Sequence, residues 1–204
     1  MSKIAVATIY TQSNQYGKIG YLSSEINRNY AEKNGYDFCL KNFNFNLENR
    51  HFHFEKQLFL LSIIDNYDWV LYLDADAFVT NPDVLVESLL DNDYDLVMAP
   101  GNTRLFNAGV MLLKNTKNTK KLLQETLNSA IIDSDNNAMI EAYRKTEEVK
   151  LKLIPRKSLN SYGGDKIFEW ESGDFIMHMA LSNNEYRQKK LENFIKYRQF
   201  FINF

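Results

Sequence analysis

Cysteine is almost absent: Cys39 is the only one in 204 residues. That excludes an intrachain disulfide and suits a reducing compartment. No apolar run approaches the ~20 residues of a membrane span. The apolar segment Ile4 to Ile9 behind Lys3 is too short for a signal peptide, so the expected location is cytoplasmic. The formal net charge is only −2, which argues against a broad nucleic-acid-binding surface. There is no internal repeat, no low-complexity linker, and no glycine-rich phosphate loop after the first apolar segment. The length fits one domain over residues 1–204, standing alone or as part of a longer protein, with a C-terminal helix from 184.

Aromatic residues are plentiful, at 14%, and supply much of the expected core. The most informative stretch is Trp69-Val70-Leu71-Tyr72-Leu73-Asp74-Ala75-Asp76. Its apolar lead-in reads as a buried strand of a parallel sheet. Carboxylates at the end of such a strand are costly to desolvate without a partner. Asp74 and Asp76 lie two residues apart, and in an extended segment their side chains leave on the same side. Two such acids at the C-terminal end of a strand offer Mg²⁺ or Mn²⁺ a hard, oxygen-rich site, at the edge where open α/β sheets bind ligands. The alternative for a D-x-D triplet is an ordinary surface turn.

Flanking segments read as alternating strands and helices, hence an α/β fold. Strands are expected at 3–9, 36–40, 95–99, 105–113, 149–154, 157–161 and 173–178, besides the one ending at Leu73. Helices are expected at 17–34, 54–64, 118–132, 133–143 and 185–204, and one starting at Asn81-Pro82-Asp83, where an N-cap, an N1 proline and an early acid coincide. Thr8, Tyr10 and Thr11 end the first strand. Tyr10 there either stacks on a base or is a core aromatic. Asn107-Ala108-Gly109 sits inside an expected strand, and a glycine in that setting marks a close approach. Asn107 beside it suits sugar hydroxyls. Asp135-Asn136-Asn137 opens a helix, where acids are normally caps. His51 and His53 form an H-x-H pair with no cysteine or third histidine nearby to complete a zinc site. His178 ends a strand, as a nitrogen ligand for a metal on Asp74 and Asp76 or as an ordinary core histidine. The last residues, Phe200-Phe201-Ile202-Asn203-Phe204, are apolar enough to pack back on the domain or to attach a further domain or partner.

Several segments stand in a particular order: Ala7 to Thr11, Asn34 to Phe38, Glu55-Lys56, Leu71 to Asp76, Phe106 to Val110, Asp135 to Ala138, Leu159 to Tyr162, and Gly173 to Ala180. In this order the chain resembles nucleotide-sugar-dependent glycosyltransferases of the GT-A fold, with family 34, the galactosyl-, xylosyl- and mannosyltransferases, as the nearest likeness. The D-x-D, N-x-G and G-D-F-x-x-H elements carry the resemblance from about residue 3 to about 190. It implies a Rossmann-like, mostly parallel sheet flanked by helices. It also implies a donor such as a UDP-sugar, Mn²⁺ or Mg²⁺, and a glycan or glycoprotein acceptor. Asp74, Asp76 and His178 match the metal ligands. Thr8, Tyr10, Thr11, Ala75, Asn107 and Gly109 match the donor pocket. Lys56, Asp135 and Asn136 match the reacting centre. One departure is Ala180-Leu181-Ser182, where the family carries an Ala-Gly pair. Two other readings of D-x-D exist: a phosphatase of the haloacid dehalogenase type, and a sugar-nucleotide-binding module without turnover. The phosphatase carries the motif on its first strand, whereas here a β-α-β unit and a helix precede it.

Overall fold

The computed structural model describes residues 2–12, 14–43 and 52–202. The strands in chain order are β1 (Ile4–Thr11), β2 (Asp37–Phe43), β3 (Trp69–Leu73), β4 (Ala77–Val79), β5 (Leu96–Met98), β6 (Val110–Lys114), β7 (Leu151–Leu153), β8 (Ser161–Tyr162) and β9 (Ile176–His178). The helices are α1 (Asn14–Asn34), α2 (Glu55–Ile63), α3 (Lys117–Asn128), α4 (Asp135–Lys145), α5 (Arg156–Leu159) and α6 (Asn184–Ile202).

The apolar runs form the middle of the main sheet. β1 and β3 are buried at every position, as strands covered on both faces must be. They pair in parallel, from Ile4 opposite Trp69 to Thr8 opposite Leu73. The six-stranded order is β2-β1-β3-β6-β5-β7. β6 alone runs against the rest, pairing antiparallel with both β3 and β5. The two-residue period of the strands divides the core. Val70 and Tyr72 join Ala5 and Ala7 in a layer with Leu60, Leu122 and Met139 of α2, α3 and α4. Trp69, Leu71 and Leu73 face the other side, with Val6 and with Tyr30 and Ala31 of α1. This is the helix-flanked, mostly parallel α/β architecture expected from the sequence. Among the described residues, no helix is long and apolar enough to cross a membrane.

A second sheet, β4-β9-β8, projects past the end of β3. α1 holds it to the first by two polar side chains. Ser23 Oγ donates to the Ala75 carbonyl at 2.6 Å. Asn27, fully buried, donates to the Ala77 carbonyl (3.1 Å) and accepts from the Val79 amide (3.0 Å).

Some boundaries differ from expectation for identifiable reasons. No helix begins at Asn81. Its side chain does accept from the Asp83 amide (3.1 Å) as a cap would, but the following backbone is claimed elsewhere. The Tyr30 hydroxyl donates to the Val84 carbonyl and the Val86 amide donates to the Tyr36 hydroxyl, so only a short 3-10 turn forms at Val86–Leu89. Of residues 157–161 only Ser161 is in a strand, at the start of β8. Pro155 precedes them and suits a helix start, and α5 forms instead. Of 105–113, only the part from Val110 onward is a strand; Asn107-Ala108-Gly109 forms the turn before it. His51 of the H-x-H pair and the side chains of Phe200 to Phe204 lie outside the described residues.

Replacing Asn27 with Ala strands one buried carbonyl and one buried amide. Urea unfolding should show a loss of about 2–4 kcal/mol; an unchanged midpoint would mean that water replaces the side chain.

Candidate active site

The acidic pair converges through a turn rather than by alternation along a strand. β3 stops at Leu73, and the Ala77 amide then donates to the Asp74 carbonyl at 2.9 Å, closing a four-residue turn. The Asp74 amide donates to the Gly109 carbonyl (2.7 Å), tying this turn to the one before β6. β4 leaves the turn paired with β9, Ala77 opposite His178. The Met179 amide donates to the Asp76 carbonyl (3.0 Å). Ligating atoms of Asp74, Asp76 and His178 therefore lie within 4.8 Å of one another.

His178 is aimed by its neighbours. Its Nδ1 lies 3.0 Å from Asn160 Oδ1, an acceptor, so Nδ1 carries the proton and Nε2 faces Asp76 Oδ1 at 3.4 Å. A histidine ligand is oriented in just this way by a partner on its far nitrogen. Asn160 donates in turn to Asn107 Oδ1 (3.1 Å), which also accepts from the Gly109 amide (2.9 Å). At Gly109 a Cβ would stand 2.2 Å from His178 Cε1 and 2.9 Å from Asp74 Oδ2. The close approach expected at this glycine is thus between backbone and the metal-ligand candidates.

Lys56 reaches in from α2 with its side chain only 5% exposed. Its ammonium lies 2.7 Å from Asp135 Oδ2 and 3.1 Å from Asp74 Oδ1, and donates to the Ala108 carbonyl at 2.9 Å. Burial opposes the charge, but Asp135 and Asp74 outweigh it and hold the ammonium well above its usual range. Burial likewise opposes the charge on Asp135, and Lys56 holds that carboxyl below the usual carboxylate range. Asp135 is free to face the site because Ser134 caps α4, accepting from the Asn137 amide at 3.3 Å. Asn136 spends its amide on the turn before β6: Oδ1 accepts from the Ala108 amide (2.7 Å) and Nδ2 donates to the Phe106 carbonyl (3.4 Å).

These groups surround a cavity of about 230 Å³ that Tyr10, Thr11, Lys56, Asp74, Ala75, Asp76, Asn107, Gly109, Asp135, Asn136 and His178 all line. Thr8 is not brought there. It is fully buried, and its hydroxyl donates to the Leu73 carbonyl (2.8 Å), binding β1 to β3. Other cavity residues were not among the expected site residues, although His53 is half of the incomplete H-x-H zinc pair. Tyr72 donates its hydroxyl to Asp74 Oδ1 (2.8 Å). His53 lies 3.8 Å from Asp135. Arg187 of α6 pairs with Asp76 Oδ2 at 2.8 Å and lies over the ring of Tyr16. Burial opposes the charge on Asp76, but His178 and Arg187 hold that carboxyl well below its usual range. Asn160 stood in a segment that carried the resemblance. Arg187, on a helix rich in Lys and Arg, carried no local signal at all.

Residues 27–140 match the model of the family described as "Protein of unknown function, DUF273". The chain belongs to that family. The match covers more than half of the chain and includes Lys56, the acidic pair and the Asn107–Gly109 turn; His178 and α6 lie beyond it. No curated protein matches the chain in sequence. Solved structures similar in fold include a glycosyltransferase involved in glycosylation of the major capsid of PBCV-1. It is 16% identical, with 93% of this chain and 98% of that one covered and a TM-score of 0.75. GlyE of Streptococcus pneumoniae is 17% identical, with 95% and 60% covered and a TM-score of 0.57. A mutant of Drosophila β1,4-galactosyltransferase 7, in complex with manganese, UDP-Gal and xylobiose, is 11% identical, with 90% and 73% covered and a TM-score of 0.54. The DUF273 chain thus has the GT-A fold of glycosyltransferases, as the sequence resemblance implied.

In a Gly109→Ala variant the new methyl must displace the imidazole or the Asp74 carboxylate. We expect an unfolding loss of about 1–3 kcal/mol from overpacking, read by urea denaturation. An unchanged midpoint would mean that the imidazole and the carboxylate yield to the methyl without cost.

Proposed function

We propose that the protein is a metal-dependent glycosyltransferase. It would move a hexosyl or related group from a nucleoside diphosphate sugar, UDP-linked by preference, to a hydroxyl of a glycan acceptor. The observation that carries this reading is the Asp74, Asp76 and His178 cluster at the C-terminal end of β3, inside a cavity of a GT-A fold. Ligands of open α/β sheets bind at that edge. The donor set of two carboxylates and one oriented imidazole fits a divalent ion such as Mn²⁺ or Mg²⁺. When bound, the ion would offset the charge growing on the leaving diphosphate. The manganese and UDP-Gal carried by the Drosophila enzyme support the choice of ion and nucleotide.

The chain's own residues divide the remaining work. Lys56 holds Asp74 in place and adds a fixed positive charge beside the leaving group. Tyr10 and Thr11, at the end of β1 and on the cavity wall, would contact the nucleoside. Asn107, fixed by Gly109 and Asn160, would meet the sugar. Asp135 would lie on the reacting face, held by its ion pair with Lys56. In an inverting reaction it would deprotonate the acceptor hydroxyl; in a retaining one the acceptor would attack from the leaving-group side and Asp135 would orient it. Asn136 acts by fixing the Phe106–Ala108 backbone. A cytoplasmic setting belongs to the same proposal.

The phosphatase reading is disfavoured because the acidic pair follows the third strand. A binding module without turnover would load donor and never consume it. Calorimetric titration with UDP, UDP-glucose, UDP-galactose and GDP-mannose tests the proposal, each with Mn²⁺ and then with chelator. We expect one nucleotide to bind in a metal-dependent way, and Asp76→Asn to lose that binding while remaining folded by circular dichroism. Absence of binding to all four would overturn the donor-site reading.

A further inference from the structure

Arg187 is a buried cavity cation not yet given a role. Its guanidinium lies 2.8 Å from Asp76 Oδ2, with the two side chains 13% and 5% exposed. It is held from behind: Nε donates to the Met179 carbonyl at 3.2 Å, and Nη1 to Asn184 Oδ1 at 3.0 Å. The ring of Tyr16 lies against it, 5.5 Å from centroid to guanidinium carbon. The contact spans two candidate ligand elements, because Met179 directly follows His178 and its amide binds the Asp76 carbonyl.

This geometry sets a conflict. Asp76 Oδ2 bonded to Arg187 cannot also give its full charge to a divalent ion. Yet a planar, permanently charged fork at the cavity wall is the side chain best matched to phosphate oxygens. We propose that Arg187 is an exchange cation. With the site empty it neutralises the buried Asp76 carboxylate, and when metal and donor load it transfers its hydrogen bonds from Asp76 to the donor diphosphate. The inference rests on the donor-site reading above and adds to it a positioning residue that ties α6 to the loading state. Lys56 cannot do the same work, because its ammonium is already divided among Asp74, Asp135 and the Ala108 carbonyl.

Exchange predicts effects of opposite sign on two ligands, which a merely structural arginine would not give. In Arg187→Met, Asp76 loses its competitor. Mn²⁺ titrated alone should therefore bind roughly threefold or more tighter, the scale of one lost ion pair, and should raise the melting temperature more than it does in wild type. UDP titrated at saturating Mn²⁺ should bind about tenfold or more weaker, the scale of a charge-assisted hydrogen bond. Arg187→Lys, which keeps the charge and loses the fork, should return Mn²⁺ affinity to wild type and recover part of the UDP affinity. Weakening of both ligands in both variants would make Arg187 a structural residue and overturn the inference, as would no change in either. If wild-type protein binds Mn²⁺ but none of the four nucleotides, the donor-site reading falls and takes this inference with it; if it binds only the GDP-linked donor, GDP replaces UDP in the titrations of the variants. Normal wild-type binding with same-sign effects in the variants overturns this inference alone.

Discussion

Lys56 is the fixed point of the site. One buried ammonium holds the first acid after β3, the first acid of α4 and the backbone of the turn before β6. Removing one member of such a buried pair typically costs about 3–5 kcal/mol, because the other charge is left without compensation. The arrangement is therefore tightly specified although none of its parts is adjacent in sequence. Lys56 and Arg187 pair with the carboxylates Asp74, Asp76 and Asp135, and Asn160 fixes the Nδ1 proton of His178. Arg104 lines the same cavity, so three basic side chains stand with its three acidic ones.

The fold makes this possible by sending every contributor to one edge of the main sheet. β1 and β3 end together because they are in parallel register from Ile4–Trp69 to Thr8–Leu73. β6, running the other way, begins where β3 ends, opposite Leu73 at Val110, so the Asn107–Gly109 turn meets Asp74 there. β9 completes the site from 100 residues further along by pairing with β4 just after the acidic turn. Ser23 and Asn27 of α1 secure the two sheets to each other at that junction.

Where local chemistry decided the outcome, the sequence was readable. The unbroken apolar run at Trp69–Leu73 has only one comfortable place, between other strands, and the acids behind it must then stand at the sheet edge. The close approach at Gly109 could be anticipated from a glycine beside a strand. What could not be read depended on partners distant in the chain. Asn81 carries a good helix start, but Tyr30 and Tyr36 claim the backbone that the helix would need. Thr8 looked available to a ligand until β3 took its hydroxyl. Asp135 looked like a cap by local chemistry and only the family resemblance put it at the reacting centre; it faces the cavity because Ser134 caps α4 and Lys56 arrives from another helix. Arg187 was hidden among other basic residues on α6, since only the return of that helix over β9 gives it a carboxylate.

Leu181 joins strain to function at the same place. It is the only non-glycine residue among those described with positive φ, at 63°, and it holds the third position of a turn closed from the Ser182 amide to the Met179 carbonyl. Turns that need positive φ there favour glycine, and a non-glycine residue in that conformation costs about 1–2 kcal/mol. The turn has no freedom to relax. Met179 is bonded to Asp76 at its amide and to Arg187 at its carbonyl, and Ser182 Oγ accepts from the Asp165 amide. The bonds that hold Asp76 and Arg187 in register thus also sustain the strained leucine, which faces the cavity beside His178. A backbone over-determined in this way is characteristic of functional sites. Here the bonds that impose the strain are themselves those of the proposed metal and diphosphate apparatus.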